Sequence, residues 1–116
     1  MMLLIVDDNP AVRRLIGKIV ADLVKNIREC ADGADALTAY KQCQLDPALP
    51  ILVLMDIEMQ RMDGLAATRE IVAAYPEAKV VIVSRHGDEQ TRAAAQDAGA
   101  CGYVLKENLI DVRRWL

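Results

Sequence analysis

The chain has 116 residues, 53% of them apolar and only 3% aromatic, with a formal charge of −3. That length suits a single domain over residues 1–116 with an aliphatic core, and the mildly acidic balance argues against a nucleic-acid-binding surface on this chain alone. No apolar run approaches the ~18 residues of a membrane span, and the start "MMLLIVDD" lacks the basic segment of a signal peptide, so a soluble, cytoplasmic protein is expected.

Short apolar runs alternate with helical patterns from end to end. Strands are predicted at Met2–Val6, Ile27–Ala31, Ile51–Met55, Lys79–Val83 and Cys101–Leu105. The first helix opens at Asn9-Pro10, a cap followed by proline, and places Val12, Leu15, Ile16, Ile19, Val20 and Leu23 on one face. A second runs from about Ala34 to Gln44 with Leu37 and Tyr40 inward, ending in the turn-rich "LDPALP". A third follows Gly64 and stops before Pro76. The fourth, within "DEQTRAAAQDAGA", offers only Ala94, Ala95 and Ala98 to the core and stops at Gly99. Burying alanines removes little apolar area, so this helix is expected to be weakly anchored. A last helix starts at Asn108. Cys30, Cys43 and Cys101 have no metal-ligand spacing and read as three small buried apolar residues.

Five strands alternating with five helices predict an α/β fold with a parallel sheet covered on both faces. In such sheets functional groups gather at the carboxyl ends of the strands. Here those ends carry Asp7 and Asp8, then Asp56, Ser84 and Lys106. Asp56 follows the five apolar residues Ile51–Met55, where a charge is costly unless it is paired. Three acids packed together repel one another and raise each other's pKa. A divalent cation relieves that repulsion, and an all-oxygen ligand set, with only His86 near it, points to Mg²⁺. Each residue alone has a plainer role: a capping turn for the acid pair, a helix start for Asp56 (which Gly64 suits better), a loop hydroxyl for Ser84, a solvated charge for Lys106. Their occurrence together at four strand ends favours a site.

Across essentially its whole length the sequence resembles the receiver domain of two-component response regulators, including those of the NarL/LuxR type. "LLIVDDNPAVRRLI" resembles the acidic-pair segment, "VLMDIEMQRMDGLAATREI" the phosphoacceptor segment, and "VVIVSRHGDE" and "DAGACGYVLKE" the hydroxyl and aromatic–lysine segments. The resemblance implies a flavodoxin-like, doubly wound sheet of order 2-1-3-4-5. It implies that Asp56 accepts a phosphoryl group from a phosphohistidine on a sensor histidine kinase or phosphotransfer protein. Asp8, Asp56 and the Glu58 backbone carbonyl would hold Mg²⁺, with Asp7 acting through water. Lys106 would pair with Asp56 or the phosphoryl oxygens. Ser84 would hydrogen-bond a phosphoryl oxygen, and Tyr103 would change position with it. Output would use the fourth helix, fifth strand and fifth helix, through a homodimer formed on phosphorylation. Glu58, Arg85 and His86 would tune the rates.

Three departures from the family pattern stand out: Gln60 where proline is frequent, Glu107 after Lys106, and Arg85 where a small residue is usual. Arg85 is expected to obstruct approach to Asp56 more than it attracts an anionic donor. Rival readings are a stand-alone or degenerate receiver, a Mg²⁺-dependent phosphatase with Asp56 as nucleophile, and a Ser84–His86 hydrolase. The phosphatase lacks residues for a cap, and Ser84 lacks the glycines of a nucleophile elbow. The short last helix suggests the amino-terminal part of a longer regulator, with a helix-turn-helix DNA-binding domain beyond it.

Overall fold

A computed structural model describes residues 1–44 and 49–116. Five strands form one sheet: β1 (Met2–Val6), β2 (Asn26–Cys30), β3 (Ile51–Met55), β4 (Lys79–Ser84) and β5 (Gly102–Leu105). They lie in the expected order β2-β1-β3-β4-β5, parallel throughout. Helices α1 (Pro10–Val20), α2 (Ala36–Cys43), α3 (Gly64–Ala74) and α4 (Glu89–Asp97) follow the first four strands, and a 3-10 helix, Lys106–Trp115, follows the fifth.

Strand alternation divides the core into two layers. Leu3, Ile5, Leu52, Leu54, Val81, Val83 and Val104 pack with Ile16 and Val20 of α1 and with Leu109 and Val112. Leu4, Val6, Val53, Met55, Val80 and Ile82 pack with α2, α3 and Ala95 of α4. β1, β3 and β4 are therefore buried on both faces, which is why they read as unbroken apolar runs.

The α1 start is as expected: the Asn9 side chain accepts a hydrogen bond from the Ala11 amide at 2.9 Å, ahead of Pro10. The apolar face is narrower and shorter than its periodicity suggests: Leu15 is 48% exposed, and Leu23, 50% exposed, lies past the helix end at Val20. Periodicity marks which side of a helix is apolar, not how far the sheet extends beneath it. Tyr40 is buried as expected, whereas Leu37 is only half-buried. The expected turn over 45–50 lies largely outside the described residues. A 3-10 turn, Gly33–Asp35, precedes α2, so that helix begins later than predicted. On α4, Ala95 and Ala98 are buried and Ala94 is half-buried, and Gly99 ends the helix with φ 105°. The cysteines differ from expectation: Cys43 is buried, Cys30 half-buried and Cys101 exposed.

Other boundaries also shift: β4 runs on to Ser84, β5 starts at Gly102 and β2 ends at Cys30. Edge strand β2 starts one residue early, at Asn26, and is mostly exposed, since its sequence "NIREC" has little apolar content to fix its ends. The last helix starts at Lys106 rather than Asn108, and Asn108 itself breaks it with φ −127° and ψ 48°. Leu109, Val112 and Trp115 recur every three residues, the repeat that stacks on one face of a 3-10 helix.

Candidate functional site

β1 and β3 pair in register, with Ile5 opposite Leu54 and Val6 opposite Met55. The next residue on each strand is an aspartate, so Asp7 and Asp56 emerge side by side at the carboxyl edge. The Asp56 amide donates to the Val6 carbonyl at 2.8 Å and the Asp7 amide to the Cys30 carbonyl at 3.0 Å, fixing both backbones to the sheet. Carboxylate oxygens of Asp7, Asp8 and Asp56 lie within 4.8 Å of one another, with Asp7 and Asp56 buried and Asp8 exposed.

Lys106 leaves β5 on the same side of the sheet as Val104 and reaches this cluster. Its Nζ lies 3.0 Å from Asp7 Oδ2 and 3.1 Å from Asp56 Oδ1. Burial pushes the Asp56 carboxyl above the usual range, and the neighbouring Asp7 charge pushes it the same way. Lys106 and the Ile57 amide, 2.9 Å from Asp56 Oδ1, pull against that rise without cancelling it. Lys106 itself is raised: burial opposes its charge, but its hydrogen bond to Asp7 and the charges of Asp56 and Asp7 outweigh that cost. One ammonium, paired with Asp7 and Asp56, thus stands in a cluster of three carboxylates, leaving an excess of negative charge.

The cluster opens into a cleft of about 390 Å³ lined by Asp8, Asp56, Glu58, Gln60, Arg85 and Lys106, among others. Glu58 bridges its mouth: its carboxylate lies 2.6 Å from the His86 ring and 4.0 Å from the Arg85 guanidinium. The His86 hydrogen bond, then the His86 and Arg85 charges, hold the Glu58 carboxyl below its ordinary value. Arg85 points across the mouth towards Glu58 while remaining largely exposed.

The hydrogen bonds found for Ser84 and Tyr103 go to the loop after β4 and not to the carboxylates. Strand alternation places both on the α2–α4 side, and both engage the loop after β4. The Ser84 hydroxyl accepts from the His86 amide at 3.1 Å, and the Tyr103 hydroxyl donates to the His86 carbonyl at 2.5 Å. The Arg92 guanidinium covers the Tyr103 ring at 4.6 Å from its centroid, a cation–π contact that ties β5 to α4. The structure therefore gathers Asp7, Asp8, Asp56 and Lys106, with Glu58 and Arg85 at the mouth. Ser84 and Tyr103 join through His86.

Several contributing residues were not singled out by the sequence reading. Asp63, not Gly64, caps α3, accepting from the Ala66 amide at 2.8 Å. Gly64 is required for a different reason: any Cβ there would overlap the Asp56 carbonyl. Arg13 steadies the acid pair from behind, donating to the Asp7 carbonyl at 2.6 Å and to Glu29 at 2.8 Å. Its place on α1, six residues after Asp7, was the one available hint.

Residues 3–112 match the family described as "Response regulator receiver domain". The chain belongs to that family. Among curated proteins, this receiver is 34% identical over 105 residues to the transcriptional regulatory protein DegU of Brevibacillus brevis, covering 90% of this chain and 43% of that protein. It is also 34% identical to the signal transduction histidine-protein kinase BarA of Escherichia coli K12, covering 91% of this chain and 11% of BarA. The receiver thus spans less than half the length of either relative. Among solved structures, a chain of the CheX-CheY-BeF3-Mg+2 complex from Borrelia burgdorferi superposes with a TM-score of 0.87 at 28% identity, covering 98% of this chain and 84% of that one. The flavodoxin-like fold and the two-component receiver assignment both stand on these findings.

Proposed function

We propose that Asp56 is the phosphoacceptor of this receiver and takes its phosphoryl group from a phosphohistidine of a sensor histidine kinase or phosphotransfer protein. The observation that carries this reading is the single ammonium of Lys106 held between Asp7 and Asp56 beside a third acid, Asp8. Such an arrangement costs stability through repulsion and desolvation and has no packing role to offset it. The donor set suits a hard divalent cation: oxygen ligands only, two buried and one facing the cleft, with net negative charge left over. Asp8, Asp56 and the Glu58 carbonyl would hold Mg²⁺, with Asp7 contributing through water. Bound there, Mg²⁺ supplies charge neutralisation to the phosphoryl oxygens.

Phosphoryl transfer asks the protein for positioning and electrostatics more than covalent chemistry. An Asp56 carboxylate oxygen forms a bond to phosphorus as the phosphorus–nitrogen bond breaks and its electron pair returns to the imidazole. Lys106, already 3.1 Å from Asp56, then has phosphoryl oxygens to bind in place of carboxylate alone. Hydrolysis by water restores the Asp56 carboxylate and releases phosphate. Glu58, Arg85 and His86 line the route by which donor and water arrive and set those rates.

The acyl phosphate offers the Ser84 hydroxyl an acceptor that competes with its present contact to the His86 amide. Movement of this segment disturbs the His86 carbonyl to which Tyr103 donates, and α4 is tied to Tyr103 through Arg92. The α4–β5–3-10 helix face is thereby the output surface, used for self-association on phosphorylation, with a DNA-binding domain as the natural effector. The name of DegU as a transcriptional regulator supports that output. The receiver acts in the cytoplasm and assists only its own phosphorylation and dephosphorylation; among the described residues no helix is long and apolar enough to cross a membrane.

Incubation with acetyl phosphate and Mg²⁺ tests this reading against a phosphatase. Phosphate incorporation is expected to stop near one per chain, with slow release. Sustained turnover would overturn the receiver mechanism in favour of an aspartyl phosphatase.

A further inference from the structure

The loop from Ile57 to Asp63 carries Glu58, Met59 and Gln60 along one wall of the cleft, and its sequence has no proline to stiffen it. At its neck the Gly64 amide donates to the Ile57 carbonyl at 2.8 Å. The tip is held from a different part of the chain. Asp32, two residues beyond β2 and buried at 6% exposure, accepts from the Arg61 amide at 2.9 Å through Oδ2 and from the Met62 amide at 3.1 Å through Oδ1. Its Oδ1 also accepts from the Ala34 amide at 2.9 Å, which fixes the side chain to its own turn.

Two further contacts close the same seam. Arg61 reaches Asp35 at 2.5 Å on the surface. Gly33 packs so closely on the loop that a Cβ would stand 2.5 Å from the Met62 carbonyl oxygen and 3.1 Å from that of Asp63. The carboxyl of Asp32 is held below its ordinary value by the Ala34 and Arg61 amides, so it stays ionised and accepts only. Charge-assisted hydrogen bonds of this kind are about twice as strong as neutral ones.

We propose that Asp32 is a positioning residue for phosphoryl transfer, gripping the Arg61 and Met62 amides so that the Glu58 carbonyl and the Met59–Gln60 wall are in place before metal or donor arrives. The inference rests on the reading of Asp56 and its metal site given above. A loop free to wander presents the Glu58 carbonyl in the right place only part of the time. Affinity for the metal falls by that fraction, and in-line approach to Asp56 loses its fixed wall. An anchor 24 residues before Asp56 in sequence thereby supplies the rigidity that a proline at Gln60 would otherwise give.

The test uses the full 116-residue chain with Asp32→Ala and Asp32→Asn, and Val20→Ala as a core variant in the layer that contains no residue of the loop. Three quantities are measured well below the melting transition: the Mg²⁺ dissociation constant by calorimetry on unphosphorylated protein, the single-turnover rate with acetyl phosphate, and Tm. Asp32→Ala is expected to weaken Mg²⁺ binding and slow phosphorylation by about tenfold or more each. Asp32→Asn should fall between, since its oxygen still accepts from Ala34 and Met62 while its amide opposes the Arg61 N–H. Val20→Ala should lower Tm and leave both other quantities parental. A lower Tm with parental affinity and rate in Asp32→Ala would overturn the proposal, making Asp32 an architectural residue only. If Asp32→Ala does not fold, Asp32→Asn decides in the same way. A parent that binds no Mg²⁺ overturns the site reading and this inference together, whereas a competent parent with parental variants overturns the inference alone.

Discussion

Helices α1 and α4 flank the site from opposite sides and are built in opposite ways. α1 inserts Ile16 and Val20 into the core, with Val12 and Ile19 packed beside them, and Arg113 forks onto Asp22 just past its end at 2.6 and 3.0 Å. α4 buries only alanines and is otherwise held through Arg92 on Tyr103 and on the Gly87 carbonyl. A buried isoleucine removes far more apolar area from water than a buried alanine. The loop bearing Asp7 and Asp8 therefore rests on a firm support, and the loop bearing Arg85 and His86 leads into a weak one. A receiver needs both: fixed acids for the chemistry, and an element that moves at small energetic cost to report it.

The two helices should differ most in what their core residues contribute. Ile16→Ala is expected to cost about 2–5 kcal/mol in denaturant unfolding, and Ala95→Gly only about 1 kcal/mol. Equal losses would mean that α4 is anchored by something other than its alanines. Native hydrogen exchange compares the helices without mutation. Amides of α4 are expected to open at least about tenfold more readily than those of α1, on the order of 1.4 kcal/mol in local stability. Equal protection would remove the physical basis for α4 as the moving part.

The firm side still carries strain in its acids. Asp8→Asn is expected to stabilise the metal-free protein by on the order of 1 kcal/mol, since close charges repel by several kcal/mol at a surface dielectric and solvent screens part of that. The same variant should lose most of the Tm rise expected of the parent with Mg²⁺. A destabilised metal-free Asp8→Asn would contradict mutual repulsion at the site. The smallest effect is expected at the outer brace of α1. The hydrogen bond from Arg113 holds Asp22 below its ordinary pKa. Its contribution is therefore present above the unfolded carboxylate pKa of about 3.9 and lost as pH falls through the lower folded value. Asp22→Asn should melt slightly below the parent at neutral pH, and the two curves should converge in acid.

Much of this was legible in the sequence because the site sits where local patterns end. Apolar runs stop and charges begin at Asp7, Asp56 and Lys106, so the strand ends and the cluster could be read together. The alanine face of α4 was equally plain. What stayed hidden is long-range. Asp32 grips amides 29 and 30 residues away, and nothing in "ADGAD" distinguishes that grip from an ordinary helix-capping turn. Leu15 looked buried because periodicity does not show where the sheet stops, and Leu23 because it does not show that α1 ends at Val20. The 3-10 geometry after Lys106 follows from a three-residue repeat, Leu109-Val112-Trp115, too short to separate from an α-helical pattern before Asn108 was seen to break it. Ser84 was read at a strand end and Tyr103 was placed by family resemblance, and both join the site through hydrogen bonds to His86.

Asp56 alone is expected to receive the phosphoryl group. Intact mass after acetyl phosphate and Mg²⁺ tests it most directly, with the parent compared against Asp56→Asn. The parent should gain one phosphoryl group and the variant none. An equal gain in Asp56→Asn would contradict the account, because another residue would then be taking the phosphoryl group for which the cluster of Asp7, Asp8, Asp56 and Lys106 is held to be built.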